Sequence, residues 1–332
     1  VEMLREVLGE VEVDSAVIHG LDKNAQAASP GMKYKHYSPK ANIVIADMSL
    51  DDYVELLKNN PDYGALCFEG EEKLFENKAV TFGREYDGDR QAQRLFAALN
   101  ELDELGINRV YSRRVQKHEV GLAVFNRLVR SAGFNIIHSD VNIIGLTGKT
   151  GAGKSFVSKI FKNEGCAVID CDAVTKLPDL YGEKTIDELA ETFGETVRNS
   201  DGTLNRRETA RLAFSEEGGK EKLQAITFPC IIGRINDMIS QAIADGIKTV
   251  VLDAPTLFEA GIDRKCSRIV VVDAPEELRL ERITRRDNIS REDALIRMSA
   301  QRDLTPYADA VIYADGNTDL EMAVKAILED LR

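Results

Sequence analysis

The chain has 332 residues, 43% of them hydrophobic, 30% charged and 6% aromatic with no Trp. That length exceeds one ordinary domain and suits two of about 100–200 residues each, while the composition permits packed cores and excludes collagen-like, mucin-like or largely disordered material. The net charge of −13 argues against a general binder of nucleic acid or of anionic membranes, because a polyanion needs a basic face that releases its counterions.

Taken in chain order, Val1 to Leu8 read as the middle of a short helix, and the start at Val1 rather than Met is what a fragment would show. Residues 10–41 carry Asn24, Ser29-Pro30-Gly31 and Ser38-Pro39 with little apolar periodicity, so they read as an extended linker. From Asn42 a strand (Ile43 to Ala46) leads into a helix through Tyr53, Leu56 and Leu57, followed by strands at Tyr63–Phe68 and near Ala79–Phe82. A long amphipathic helix with Leu95, Leu99, Leu102 and Leu105 comes next, then a strand at Arg109–Tyr111 and a last helix over about 120–131. Strands alternating with helices predict a small three-layer α/β unit with a mainly parallel sheet.

A second unit opens at Val141. The apolar strand Ile143-Ile144-Gly145-Leu146 runs into a glycine-rich stretch and a helix to about Asn163. Further strands are predicted at Ala167–Ile169, Thr249–Leu252, Ile269–Val272 and Ala310–Ile312. Their continuous aliphatic character predicts a parallel sheet covered on both faces, with the seam between the units near residue 140. No apolar run approaches the ~18 residues of a membrane span, and no signal peptide is recognisable. Five cysteines (Cys67, Cys166, Cys171, Cys230, Cys266) without a Cys-x-x-Cys pair suit reduced thiols in the cytoplasm better than disulfides or a zinc site.

The strongest chemical signal is G-x-x-x-x-G-K-S, formed by Gly148, Lys149, Thr150, Gly151, Ala152, Gly153, Lys154 and Ser155 between a strand and a helix. Its glycines let backbone N–H groups turn inward onto a triphosphate, and the helix N-terminus adds positive potential. Lys154 would reach the β and γ phosphates of ATP and the Ser155 hydroxyl would ligate Mg²⁺, which makes this a P-loop. A P-loop gives a nucleotide but no acceptor. Asp170 and Asp172 close the next strand, where open α/β sheets place ligands, and on an extended chain only one of the two faces the phosphates. Such an aspartate either accepts the acceptor hydroxyl's proton or orients a metal-bound water. Asp253, at the end of a third aliphatic strand, resembles the acidic metal partner of P-loop enzymes, so Ser155, Asp170 and Asp253 are the metal-side candidates. Arg279, Arg282, Arg285 and Arg286 stand at helical spacings, with Arg282, Arg285 and Arg286 on one face. A mobile helical lid that brings arginines onto a transferring phosphoryl group is the reading for that face.

Residues 141–320 closely resemble dephospho-coenzyme A kinase. The resemblance rests on the P-loop, Val168-Ile169-Asp170-Cys171-Asp172-Ala173, Phe193-Gly194, Asp201 to Arg206, Asp253 to Gly261, Arg282-x-x-Arg285-Arg286-Asp287, Gln301 and Ala308-Asp309-x-Val311-Ile312, in the family's order. It implies binding of ATP and Mg²⁺ and phosphorylation of the ribose 3′-hydroxyl of dephospho-coenzyme A. It also implies Asp172 as general base, an inserted helical acceptor-binding domain over about 173–245, and lid arginines at 282–286. By the same resemblance the nucleotide-binding run extends from Gly148 to Phe156. The chain departs from the family at Phe156 (Thr or Ser is common), Lys176 (usually Arg), Phe228-Pro229 (usually His-Pro) and Asp315-Gly316 (usually Asn-Gly). All four histidines, His19, His36, His118 and His138, lie outside the kinase segment.

Residues 1–139 resemble the carboxyl-terminal part of a two-domain threonylcarbamoyl-adenylate synthase. The string Ser29-Pro30-Gly31-Met32-Lys33-Tyr34-Lys35-His36-Tyr37-Ser38-Pro39 is similar to that family's interdomain linker, and Gly121 to Leu128 to the end of its small Rossmann-like domain. By this resemblance the linker covers the active site of a preceding catalytic domain, of which only residues 1 to about 20 are present, so the chain alone is not expected to make the adenylate used in tRNA modification. The expected architecture is a synthase tail and linker over 1–41, a Rossmann-like α/β domain over 42–139, and a P-loop kinase with parallel sheet, helical insertion and lid over 141–332. The leading expectation is phosphorylation of dephospho-coenzyme A, with a nucleotide-binding regulatory module, a synthase fragment linked to tRNA modification or another small-molecule kinase as alternatives. No membrane and no direct nucleic-acid partner is expected, and the oligomeric state is left open.

Overall fold

The computed structural model describes residues 39–117, 119–299 and 301–331. The helix expected at Val1–Leu8 and the linker string up to Ser38 lie outside the described residues. The chain divides into two compact units, one running to Asp140 with the short segments Arg264–Arg268 and Leu304–Ala310, the other formed by the rest from Val141.

The first unit contains β1 (Asn42–Asp47), α1 (Leu50–Asn59), β2 (Gly64–Cys67), β3 (Ala79–Thr81), α2 (Gly88–Glu104), β4 (Arg109–Arg113), α3 (Glu119–Ser131) and β5 (Ile136–His138). Its sheet has the order β3-β2-β4-β1-β5, and all four neighbouring pairs run parallel. Strand alternation sorts the side chains into two cores. Ile43 and Ile45 face Leu66, Val80 and Val110 under Leu95, Leu99 and Leu102 of α2 and Val124 and Leu128 of α3. Val44 and Ala46 face Ala65, Cys67 and Tyr111 under Tyr53, Val54 and Leu57 of α1. The entries of α1 and α2 are capped by side chains: the Ser49 hydroxyl accepts from Asp52 N–H at 3.1 Å and the Asp87 carboxylate from Arg90 N–H at 2.9 Å.

Two details differ from the periodicity. Leu105, aligned with the apolar stripe of α2, sits at its C-cap and is exposed, because the chain turns at Gly106 (φ 67°) and buries Ile107 instead. The edge strand β5 was not expected: it pairs only three residues with β1, too few for a period of two to register. Tyr53 is fully buried, and its hydroxyl donates to the Tyr111 carbonyl at 2.9 Å and approaches that of Leu66 at 3.4 Å. Tyr53→Phe keeps the ring and removes this donor. Urea unfolding of the whole chain should lose about 1 kcal/mol with an unchanged slope, and an unshifted midpoint would show the hydroxyl to be idle.

The second unit contains β6 (Asn142–Gly148), α4 (Lys154–Asn163), β7 (Ala167–Asp170), α5 (Cys171–Val174), α6 (Glu183–Phe193), α7 (Arg206–Ser215), α8 (Gly219–Ala244), β8 (Thr249–Asp253), β9 (Arg268–Asp273), α9 (Glu276–Asp287), α10 (Arg291–Ser299), β10 (Ala310–Tyr313) and α11 (Leu320–Glu329). The sheet order is β10-β9-β6-β8-β7. β6 and β7 both run parallel to β8, with Leu146 and Asp170 in register with Asp253. The carboxyl ends of three strands are therefore level, at the edge where open α/β sheets bind ligands. Val250 to Leu252 and Ile269 to Val272 are buried without alternation, as strands covered on both faces must be.

Between β7 and β8 the chain is helical and has a core of its own, Leu189, Ala190 and Val197 packed with Phe193, Leu204, Leu212, Leu223 and Ile226. Pro229 lies inside α8, where it forgoes one helical hydrogen bond, and Phe228 beside it is half-buried. Helices α9 and α10 meet around Leu280, Ile283, Ala294 and Met298, and Asn288 caps α9 in the left-handed region (φ 51°).

Candidate functional site

The stretch from Gly148 to Gly153 leaves β6 and enters α4 through three glycines at positive φ: 155°, 79° and 105° at Gly148, Gly151 and Gly153. Two of them permit close approach as well. A Cβ on Gly148 would lie 2.3 Å from the Val272 carbonyl, and one on Gly151 would lie 2.7 Å from the Arg279 carbonyl. No side chain fits at either position.

The polar groups of this loop differ in whether the protein engages them. On the carbonyl side, Arg279 Nε donates to Thr150 O at 3.0 Å, and Arg282 Nη1 donates to Gly151 O and Ala152 O at 3.2 and 3.1 Å. Arg282 also donates through Nη2 to Ala314 O at 3.0 Å. On the amide side, the N–H groups of Gly151, Gly153, Lys154 and Ser155 donate to no protein group among the described residues. The first turn of a helix leaves such donors unsatisfied, and the aligned peptides of α4 add positive potential there. The arrangement leaves four backbone donors without a protein acceptor among the described residues, and such donors are able to hydrogen-bond an anion.

Around it stand the carboxyl ends of the strands. Lys154 forms an ion pair with Asp253, which is buried. Asp170 and Asp172 do not lie on an extended segment as the sequence suggested, because Asp170 ends β7 and caps α5, its carboxylate accepting from Ala173 N–H at 2.9 Å. Asp172 lies in the first turn of α5, exposed, and its carboxylate has no hydrogen bond or ion pair among the described residues. Cys171 between them is buried. Burial, reinforced by the charges of Asp253, Asp170 and Asp172, pushes its thiol up to about 12. It is a buried packing group.

The four arginines of α9 divide into two pairs. Arg279 and Arg282 reach the glycine-rich loop, whereas Arg286 pairs with Asp287 at 2.7 Å and Arg285 is exposed with no ion pair among the described residues. Arg297 of α10 joins Asp287 at 3.0 Å, and Arg286 holds that carboxyl below the usual range. Lys149 lies 3.3 Å from Asp303. Ser155 and Phe156 follow Lys154 on α4, both exposed.

The sequence reading did not place Arg279 or Gln301 in the site. Gln301 accepts from Thr150 N–H at 3.0 Å and donates to Thr150 Oγ1 at 2.9 Å. Helical spacing from Arg282 was the available signal for Arg279; Gln301 stood among the residues that carry the family resemblance but was given no role, its partner Thr150 lying 151 positions away.

A family model described as dephospho-CoA kinase matches residues 142–319. The chain belongs to this family. A second model, described as the threonylcarbamoyl-AMP synthase C-terminal domain, matches residues 1–133. Among similar proteins, the dephospho-CoA kinase of Corynebacterium jeikeium is 39% identical over 57% of this chain and 95% of its own length. That of Deinococcus radiodurans is 41% identical over 48% of this chain and 75% of its own. A solved structure of P. abyssi Sua5 complexed with L-threonine is 27% identical, with a TM-score of 0.36, over 42% of this chain and 41% of its own.

Gly151→Ala should weaken MgADP binding by at least about tenfold in calorimetry, since a Cβ at φ 79° meets backbone rather than a movable side chain. Unchanged affinity would show that the loop does not receive the nucleotide.

Proposed function

We propose that the chain transfers the γ-phosphoryl group of ATP to the ribose 3′-hydroxyl of dephospho-coenzyme A, giving coenzyme A and ADP. The observation that carries this is the set of four unengaged amides beside Lys154 in a chain of the dephospho-CoA kinase family. We take 1–41 as synthase tail and linker, 42–139 as the Rossmann-like domain and 141–332 as the kinase domain.

In this reading the loop from Gly148 to Ser155, with Phe156 after it, holds the phosphates of ATP, and Lys154 exchanges Asp253 for the β and γ oxygens. Asp172 is the general base: Asp170 is committed to capping α5, while the Asp172 carboxylate is exposed and unpaired among the described residues. The 3′-oxygen bonds to γ-phosphorus as the bond to the β,γ-bridging oxygen breaks, the proton goes to Asp172, and ADP leaves with the electron pair. Arg282 keeps the loop's carbonyls turned away from the phosphates, and Arg285 and Arg286, at the exposed end of α9, supply charge when that helix closes.

Mg²⁺ fits the donors present. Ser155, Asp170 and Asp253 offer hard oxygens, and Mg²⁺ takes one or two carboxylates together with substrate phosphates rather than an all-protein cage. No group of three or more His, Cys, Asp or Glu side chains able to hold a metal occurs among the described residues. When bound, the ion would neutralise charge on the phosphate oxygens. Five free cysteines go with a reducing, cytoplasmic setting, and no described helix is long and apolar enough to cross a membrane.

Lys154→Ala should abolish turnover, and near-normal activity in that variant would sink the assignment. Asp172→Asn should lower kcat by about 100-fold or more while MgADP affinity stays within about threefold. An equal loss of both would make Asp172 a metal-side group rather than the base.

A further inference from the structure

We infer that Gln301 is a positioning residue for the nucleotide: it clips the glycine-rich loop to the end of the α9–α10 helical pair through Thr150. This rests on the nucleotide-binding reading given above.

All three polar groups of Thr150 are engaged from that side. Its N–H donates to Gln301 Oε1 at 3.0 Å, its hydroxyl accepts from Gln301 Nε2 at 2.9 Å, and its carbonyl accepts from Arg279 Nε at 3.0 Å. Arg279 Nη2 donates to the same Gln301 oxygen at 3.2 Å, which fixes the orientation of the carboxamide. Gln301 comes two positions after the end of α10 and its own N–H donates to the Met298 carbonyl at 3.2 Å. Met298 is part of the apolar contact between α9 and α10. A shift of the helical pair is thus transmitted to Thr150 through three bonds from two side chains.

The direction of these bonds matters. Thr150 N–H is turned to Gln301, whereas the amides of Gly151, Gly153, Lys154 and Ser155 have no protein acceptor among the described residues. The Thr150 carbonyl held by Arg279 belongs to the same planar peptide as the Gly151 N–H, and Gln301 holds the peptide before it, so anchoring both sides of Thr150 orders the loop before the anion arrives and reduces the entropy lost on binding. Gln301 and Arg279 also form part of the wall of a partly open cavity of about 480 Å³ with Lys149, Glu276, Leu295 and Ile296, so water can compete for the clip. Its bonds are therefore breakable when the helices move.

The test combines MgADP calorimetry with steady-state kinetics. Gln301→Leu should weaken MgADP by about tenfold and raise the KM for ATP in step, while the KM for dephospho-coenzyme A stays within about twofold and the thermal midpoint holds. Gln301→Glu keeps an oxygen for Thr150 N–H and Arg279, and the threonine hydroxyl can rotate to donate, so it should stay within about threefold of the wild type. Adding Thr150→Val to Gln301→Leu should cost nothing further. Wild-type ADP affinity in Gln301→Leu would overturn the inference, as would a Gln301→Glu as weak as Gln301→Leu, or a parallel loss of both substrates and of the thermal midpoint. Should Gln301→Leu fail to fold, Thr150→Val alone must weaken ADP about threefold, and an unchanged affinity overturns the proposal. ADP binding needs no acceptor. A wild-type chain that binds ADP yet leaves dephospho-coenzyme A unmodified would therefore defeat the acceptor assignment and not this one.

Discussion

The second unit depends on one constraint, that a short run of backbone must keep several N–H donors unengaged while its carbonyls are taken up by side chains. A peptide chain does not do this unaided, because successive N–H and C=O groups point in opposing directions unless a regular element aligns them. Between β6 and α4 the chain uses glycines at φ values closed to other residues, and two arginines that take up the carbonyls of Thr150, Gly151 and Ala152. The donors left over, with Lys154, are the groups we propose receive an anion in a protein whose net charge is −13. Local geometry overrides the global field at short range, since charges beyond about 10 Å are largely screened.

The carboxylates obey the same logic from the other side. Asp253 is buried and compensated by Lys154, and Asp170 is satisfied by the backbone of α5. The Asp172 carboxylate remains exposed and without a hydrogen bond or ion pair among the described residues. The level ends of β6, β7 and β8 put all of this along one edge of the sheet, so the strand register is part of the chemistry.

Much of this was legible in the sequence, and the reason is locality. The glycine-rich motif, the aliphatic strands and the alternation in β1 encode their structure within a few residues. What could not be read depends on distant partners. Gln301 meets Thr150 across 151 positions, and the division of α9 into loop-holding Arg279 and Arg282 and outward Arg285 and Arg286 follows from packing that helical spacing does not specify. The cap formed by Asp170 was hidden for a different reason. A four-residue helix after a strand has too short a period to show, so the Asp-Cys-Asp segment reads as extended until the Ala173 N–H is seen to choose the Asp170 side chain. Edge strand β5 was missed on the same ground of length.

The most direct test of the account is to incubate the purified chain with Mg-ATP and dephospho-coenzyme A and to follow ADP release, the mass of the acceptor and the position of the added group. The account predicts ADP release that depends on the acceptor, with one phosphoryl group gained at the ribose 3′-oxygen for each ADP formed. ATP binding without any acceptor-dependent release, or a phosphoryl group found at another position, would contradict it.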